Sequence, residues 1–159
     1  GMTTEQLVAA VVGPSIARLD MRFPSREAYR DFWRQHPAFK NAWSRYIEQY
    51  ADYDLVGTPP ELRSGVDKRA ILRDAETQLQ GDLVPQALAS LTQPVRFLRA
   101  PRGVLDGDPL YSEATLIDWS QRLPRFSWAT IDDVNHFTIS LSERGARALA
   151  KEIRKLLQS

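Results

Sequence analysis

The run Ile131-Asp132-Asp133-Val134-Asn135-His136-Phe137-Thr138 decides how the chain is read. It follows the apolar, β-prone stretch Phe126 to Ile131 and precedes Ser142, which opens a helix. Ala146, Leu149, Ala150, Ile153, Leu156 and Leu157 make a continuous apolar stripe along that helix. His136 therefore falls in a loop between a strand and a helix, where a general base would be presented. Further back, Ser112 caps a helix that runs to about Leu123, and Ala100 to Leu110 is a loop dense in Gly and Pro. Pro94-Val95-Arg96-Phe97-Leu98 reads as a strand. Strand, helix, strand, helix in this order predicts a right-handed parallel crossover. Arg96 and Arg99 are a complication, because buried parallel strands usually read as unbroken apolar runs.

Upstream of Thr92 the pattern is helical. Thr3 with Gln6 forms a capping box, and Leu7, Ala10 and Val11 share a face until Gly13-Pro14 ends the helix. A second helix starts at Ser25, with Glu27 suited to its positive end, and runs to about Gln35, where His36-Pro37 breaks it. Phe39, Trp43, Tyr46, Ile47 and Tyr50 recur at helical spacing and predict a third helix with an aromatic face. Gly57 through Pro60 is a turn. Ala70, Ile71, Ala75 and Leu79 mark a helix closed by Gly81, and Val84 to Leu91 a short one.

Composition narrows the function classes. The chain has 159 residues, enough for one globular domain or a small helical layer beside a small α/β layer. Hydrophobic residues at 43% and charged residues at 26% are close to the globular average and argue against disorder and against a membrane protein. The net charge of +1 comes from 21 basic and 20 acidic residues spread along the chain, which gives no electrostatic footprint for nucleic acid. Without cysteine there is neither a disulfide framework nor a thiolate metal site. The short apolar run Leu7 to Val12 is too brief for a signal core or a membrane span, so a cytoplasmic protein is the expectation. Gly1 before Met2 reads as a scar of tag removal.

From Gln93 onward the sequence resembles the end of the α/β-hydrolase fold, on the motifs Arg99-Ala100-Pro101-Arg102-Gly103, then Asp106, then Asn135-His136. The upstream part resembles the helical cap of the same family, in Phe23-Pro24-Ser25, Trp33, His36-Pro37-Ala38-Phe39, Trp43 and Tyr53-Asp54-Leu55. The expected fold is thus α/β and helix-rich: a helical cap-like region over residues 1–91, followed by a small parallel β-α-β-α segment over residues 92–159. The resemblance implies a triad in the chain order Ser, acid, His, in which His136 would take and return the serine proton and the acid would fix its tautomer. Asp106 is the first choice for the acid, lying a few residues past the strand in a loop that can turn it toward the next. Asp108 competes, although its place before Pro109 also suits a turn former.

The nucleophile elbow is where the chain departs from that family. Gly-x-Ser-x-Gly needs small residues around a serine at a strained strand-to-helix turn. Only Gly103 and Gly107 have the spacing, and Leu105 lies between them. Ser15, Ser25 and Ser64 do not follow a strand and open a helix in the required way. A triad without its serine loses activity by about a millionfold, so the chain alone is expected to be close to inert.

Three functional readings follow, each from a different class. The chain is a truncated hydrolase-like segment, or one half of a composite serine hydrolase acting on ester or amide bonds and completed by another chain, or a non-catalytic module binding a small apolar ligand or a protein. Trp33 and Trp43 are the candidate substrate-binding residues beneath a cap, although an aromatic stripe at helical spacing is more often core. His36 reads as a helix-end residue. Asp132-Asp133 lacks a second ligand cluster, so no metal and no cofactor are expected. A two-stranded parallel sheet leaves both edges open, which predicts a homodimer or a complementary N-terminal half as partner, and neither nucleic acid nor membrane.

Overall fold

The computed structural model describes residues 14–79 and 83–158, so the helix expected from Thr3 to Val11 and the closing role of Gly81 lie outside the described residues. The chain forms two compact units, Gly1–Val84 and Pro85–Ser159. Among the described residues no helix is long and apolar enough to cross a membrane.

In the first unit a single helical turn, α1 (Pro14–Ala17), tightens into a 3-10 turn at Arg18–Asp20. Helix α2 (Arg26–Arg34) begins where Ser25 accepts a hydrogen bond from the Ala28 amide at 3.1 Å. Glu27 in its first turn and Arg34 in its last complement the helix dipole. Tyr29 and Trp33 lie one turn apart on its buried face.

The third helix begins later than the aromatic spacing predicts: α3 is Arg45–Asp54. The residues after Pro37 instead form hydrogen-bonded turns, with the His36 carbonyl accepting from the amides of Phe39 at 2.9 Å and Lys40 at 3.0 Å. The His36 Nδ1 also accepts from the Ala38 amide at 3.3 Å. Phe39 is nonetheless fully buried, because these turns fold it back against Trp33, with ring centroids 5.4 Å apart.

A hairpin that the sequence did not announce follows α3. Strands β1 (Leu55–Val56) and β2 (Arg63–Ser64) pair antiparallel, Leu55 opposite Ser64 and Val56 opposite Arg63. Gly57 turns the chain at φ 96°, a conformation that favours glycine. The ladder extends to Phe23, whose amide donates to the Leu62 carbonyl at 2.8 Å and whose carbonyl accepts from Leu62 at 3.1 Å. Phe23, Tyr29, Trp33, Phe39, Ile47, Ala51 and Leu62 form the core.

A buried polar knot lies in the same unit. The Asp54 carboxylate accepts from Arg18 Nε at 3.2 Å, from the Tyr29 hydroxyl, and from Ser64 Oγ at 2.8 Å. Burial, then the hydrogen bond to Asp54, pushes the Tyr29 hydroxyl up to about 12. An aspartate and an arginine withdrawn from water are tolerable only when paired in this way. Helix α4 (Lys68–Leu79) follows, with Ile71 left exposed.

Helix α5 is Leu83–Ser90. In the second unit, β3 (Val95–Arg99) and β4 (Phe126–Thr130) pair parallel from Val95 opposite Phe126 to Arg99 opposite Thr130. Helix α6 (Glu113–Arg122) connects them and is capped by Ser112, which accepts from Thr115 at 3.1 Å. Helix α7 (Glu143–Leu157) closes the unit, with Ser142 accepting from Gly145 at 3.0 Å. This is the helix-rich α/β arrangement with a small parallel sheet that the sequence predicts.

Arg96 is explained by α7. Its guanidinium donates to Glu152 at 2.8 and 3.1 Å and to the Trp128 carbonyl at 3.0 Å, so the strand's cation is clamped by a buried carboxylate. Lys155, then Arg96, holds that carboxyl below its ordinary range. The apolar stripe behaves otherwise than expected: Ile153 is 54% and Leu157 81% exposed, so part of it faces solvent in this unit.

Candidate functional site

Two loops, after β3 and after β4, are zipped together past the ends of their strands. The Ile131 amide donates to the Arg99 carbonyl at 2.9 Å, and after a short gap the His136 amide donates to the Arg102 carbonyl at 2.9 Å. Arg102 and Asn135 form a parallel bridge between these bonds. The pairing that builds the sheet thus resumes at its carboxyl end, where open α/β sheets place their ligand sites.

The first loop is a tight turn. The Gly103 amide donates to Gly107 at 2.9 Å, and the Asp106 amide donates to Gly103 at 3.2 Å. A Cβ on Gly103 would lie 2.3 Å from the Asp108 carbonyl oxygen, so only glycine fits. Asp106 adopts φ 62°, a left-handed conformation that aspartate tolerates better than most residues. Its Oδ1 accepts from Arg102 Nε at 2.9 Å and from Asn135 Nδ2 at 2.9 Å, and no described residue donates to Oδ2. Asp108 is exposed at the outer side of the turn.

The second loop is organised by Asn135, which is buried. Its Oδ1 accepts from the amides of Phe137 at 3.1 Å and Thr138 at 2.9 Å, and the Thr138 hydroxyl returns a bond to the Asn135 amide at 2.8 Å. This is a side-chain cap on a turn, signalled in sequence by Asn followed three residues later by Thr. Asp133 at φ 60° pairs with Arg144 at 2.6 Å, and Arg144 Nε donates to the Asp132 carbonyl at 3.1 Å, so one side chain of α7 holds this stretch of the loop. Among the described residues no group of His, Asp and Glu is disposed to hold a metal.

His136 projects from this frame into a cleft of about 290 Å³ that it shares with Phe97, Arg102, Leu110, Tyr111 and Ile139. Its ring meets Phe137 edge-on, with centroids 5.2 Å apart, and among the described residues no side chain hydrogen-bonds to the imidazole. Partial enclosure by these neighbours lowers its pKa from the ordinary histidine value, which favours the neutral, proton-accepting form. Asp106 and His136 thus stand on loops joined by Arg102 and Asn135, and the hydrogen bonds of Asp106 go to those two residues.

Trp33 and Trp43, the candidate substrate-binding residues, belong to the first unit. Trp33 is 1% exposed, ringed by Tyr29, Phe39, Tyr50 and His36, with the Arg18 guanidinium 4.8 Å from its centroid. Trp43 is half-buried under Arg34, 4.8 Å from its ring centroid. His36 is buried beside Trp33, and burial, then the Arg18 charge, lowers its pKa.

Neither protein-family profiles nor curated proteins yield a match to the chain. Among solved structures it is similar to the crystal structure of E-2-(acetamidomethylene)succinate hydrolase, with a TM-score of 0.74 and 20% identity. The likeness covers 98% of this chain and 53% of that one, so the chain spans about half the length of the protein it matches. The architecture is part of an α/β-hydrolase fold.

Proposed function

We propose that these residues carry the acid and base of a hydrolytic site, with His136 as the base and Asp106 as its acid, and that they do not turn over substrate without a nucleophile from further sequence. The observation that carries the reading is the place of the His136 imidazole, at the mouth of a cleft and, among the described residues, without a side-chain hydrogen bond. In such a site a serine attacks the carbonyl of an ester or amide, His136 takes its proton and delivers it to the leaving group, and the aspartate steadies the imidazolium. Asp106 is favoured over Asp108 because one of its carboxylate oxygens is anchored while the other, which no described residue contacts by a hydrogen bond, remains for the imidazole.

A fluorophosphonate probe for activated serines tests this directly. The 159-residue chain alone is expected to remain unlabelled, and covalent labelling at any of its serines would overturn the reading.

A second reading, a composite enzyme, is favoured by the exposed apolar surface of the second unit. Ile153 and Leu157 lie open, and among the described residues no third strand pairs with β3 or β4. A complementary half carrying the elbow would cover such surface, as would a second copy in a homodimer. Sizing with light scattering, with and without that half, separates the two: a monomer that gains mass and probe labelling only with the added half supports the composite.

A further inference from the structure

We propose that the cleft beside His136 binds a carboxylate-bearing substrate through the free end of Arg102. The inference rests on the reading of this cleft as a reaction site and adds the chemical class of what enters it.

The two arginines of the cleft are in different states. Arg99 is spent: its guanidinium donates to the Tyr111 carbonyl at 2.9 Å and to the Thr130 hydroxyl at 3.2 Å, pairs with Glu113 at 3.4 Å, and its side chain is only 11% exposed. Arg102 is poised. Its Nε is fixed by Asp106 at 2.9 Å, which orients the guanidinium plane, while Nη1 and Nη2 have no partner among the described residues and the side chain is 43% exposed. Two terminal amino groups on a planar, permanently charged head form the fork that receives a carboxylate with two parallel hydrogen bonds. Anchoring through Nε removes part of the rotamer entropy such binding otherwise costs.

The backbone sets the two residues side by side. Arg102 accepts the His136 amide on its own carbonyl, so the two side chains leave adjacent rungs of the zipped loops and line one cleft. Phe97, Leu110, Tyr111 and Ile139 supply apolar and aromatic walls. A small molecule with an apolar body, a carboxylate at one end and a hydrolysable bond a few atoms away matches this set of walls and charges. Arg99 also lines the cleft, but its guanidinium is taken up by Tyr111, Thr130 and Glu113, which leaves Arg102 to meet an anion there.

Succinate serves as the probe, with dimethyl succinate as the uncharged control, titrated at constant ionic strength while the His136 ring resonances are followed by NMR. Succinate is expected to shift those resonances saturably and the diester to leave them in place. Arg102→Gln is expected to weaken the succinate response by about tenfold or more, as loss of a charged hydrogen-bond pair implies. Because Arg102→Gln also releases Asp106, a second variant guards against mere loop disruption: Arg102→Lys keeps a cation beside Asp106 but lacks the fork, and is expected to weaken the succinate response as well while leaving the amide resonances of residues 103–107 in place. Equal shifts with the diester, or an unchanged succinate response in Arg102→Gln or Arg102→Lys, would each overturn the proposal. None of these readouts depends on turnover, so serine labelling of the chain alone would remove the functional reading and leave the binding result standing.

Discussion

Asn135 Nδ2 donates to Asp106 Oδ1 at 2.9 Å and ties the turn after β3 to the turn after β4. The same side chain caps its own turn through Oδ1, so one buried amide organises both loops of the candidate site. Asn135→Ala leaves the Phe137 and Thr138 amides without that acceptor. It is expected to destabilise the chain by about 2–3 kcal/mol, measured by urea unfolding. Asn135→Asp sets a second carboxylate against Asp106 and is expected to be destabilising as well. Wild-type stability in both variants would show that the loops are held by other means.

Helix α7 starts directly beneath the Thr138–Ile139 backbone. A Cβ on Gly145 would lie 2.2 Å from the Ile139 carbonyl oxygen and 2.5 Å from that of Thr138. Backbone on both sides cannot give way cheaply, so Gly145→Ala is expected to cost about 3 kcal/mol by overpacking. The thermal midpoint should fall, and the amide resonances of residues 135–141 should move with it.

In the first unit, Asp54→Ala strands the Arg18 guanidinium in a site closed to water. Removing one member of a buried pair costs about 3–5 kcal/mol, more than the pair contributes net, because the remaining charge loses its counter-ion. Urea unfolding of Asp54→Ala should show that loss, and the double variant Arg18→Met/Asp54→Ala should recover part of it. A double variant no more stable than Asp54→Ala would place the energy elsewhere.

Mild acid should weaken the chain through its histidines. Burial lowers the folded-state pKa of His36 from 6.5, so the unfolded chain takes up the proton more readily. Its contribution is complete above 6.5 and is lost as pH falls through the depressed folded value. His136 acts with the same sign. Asp52, held low by Arg30, and Glu152, held low by Lys155 and Arg96, lose their contributions only at the lower pH where carboxylates titrate. The urea midpoint should therefore begin to drop below neutrality, before any carboxylate titrates. In His36→Gln this first decline should be shallower; an identical slope would assign it to another group.

Local chemistry made much of the architecture readable. Ser25, Ser112 and Ser142 each cap the helix they precede, and the paired strands lie where their apolar runs place them. Elements decided by distant partners were not readable. Phe39 and Trp43 have helical spacing, yet the turns at His36 take up the intervening residues and α3 waits for Ser44. The β1–β2 hairpin has two residues per strand, too few for any period to register. Arg96 made sense only once Glu152, far along the chain, stood against it. In the site, the position of His136 between strand and helix was legible, whereas the clamp formed by Asn135, Arg102 and Asp106 depends on two loops meeting in space.

The solvent-facing stripe of α7 has a practical corollary. Ile153 and Leu157 lie open, and among the described residues no third strand pairs with β3 or β4, which leaves a surface on which other unfolded or half-folded chains can nucleate. Aggregation therefore competes with folding in proportion to how much is made. Purification should be gentlest when the polypeptide is kept dilute.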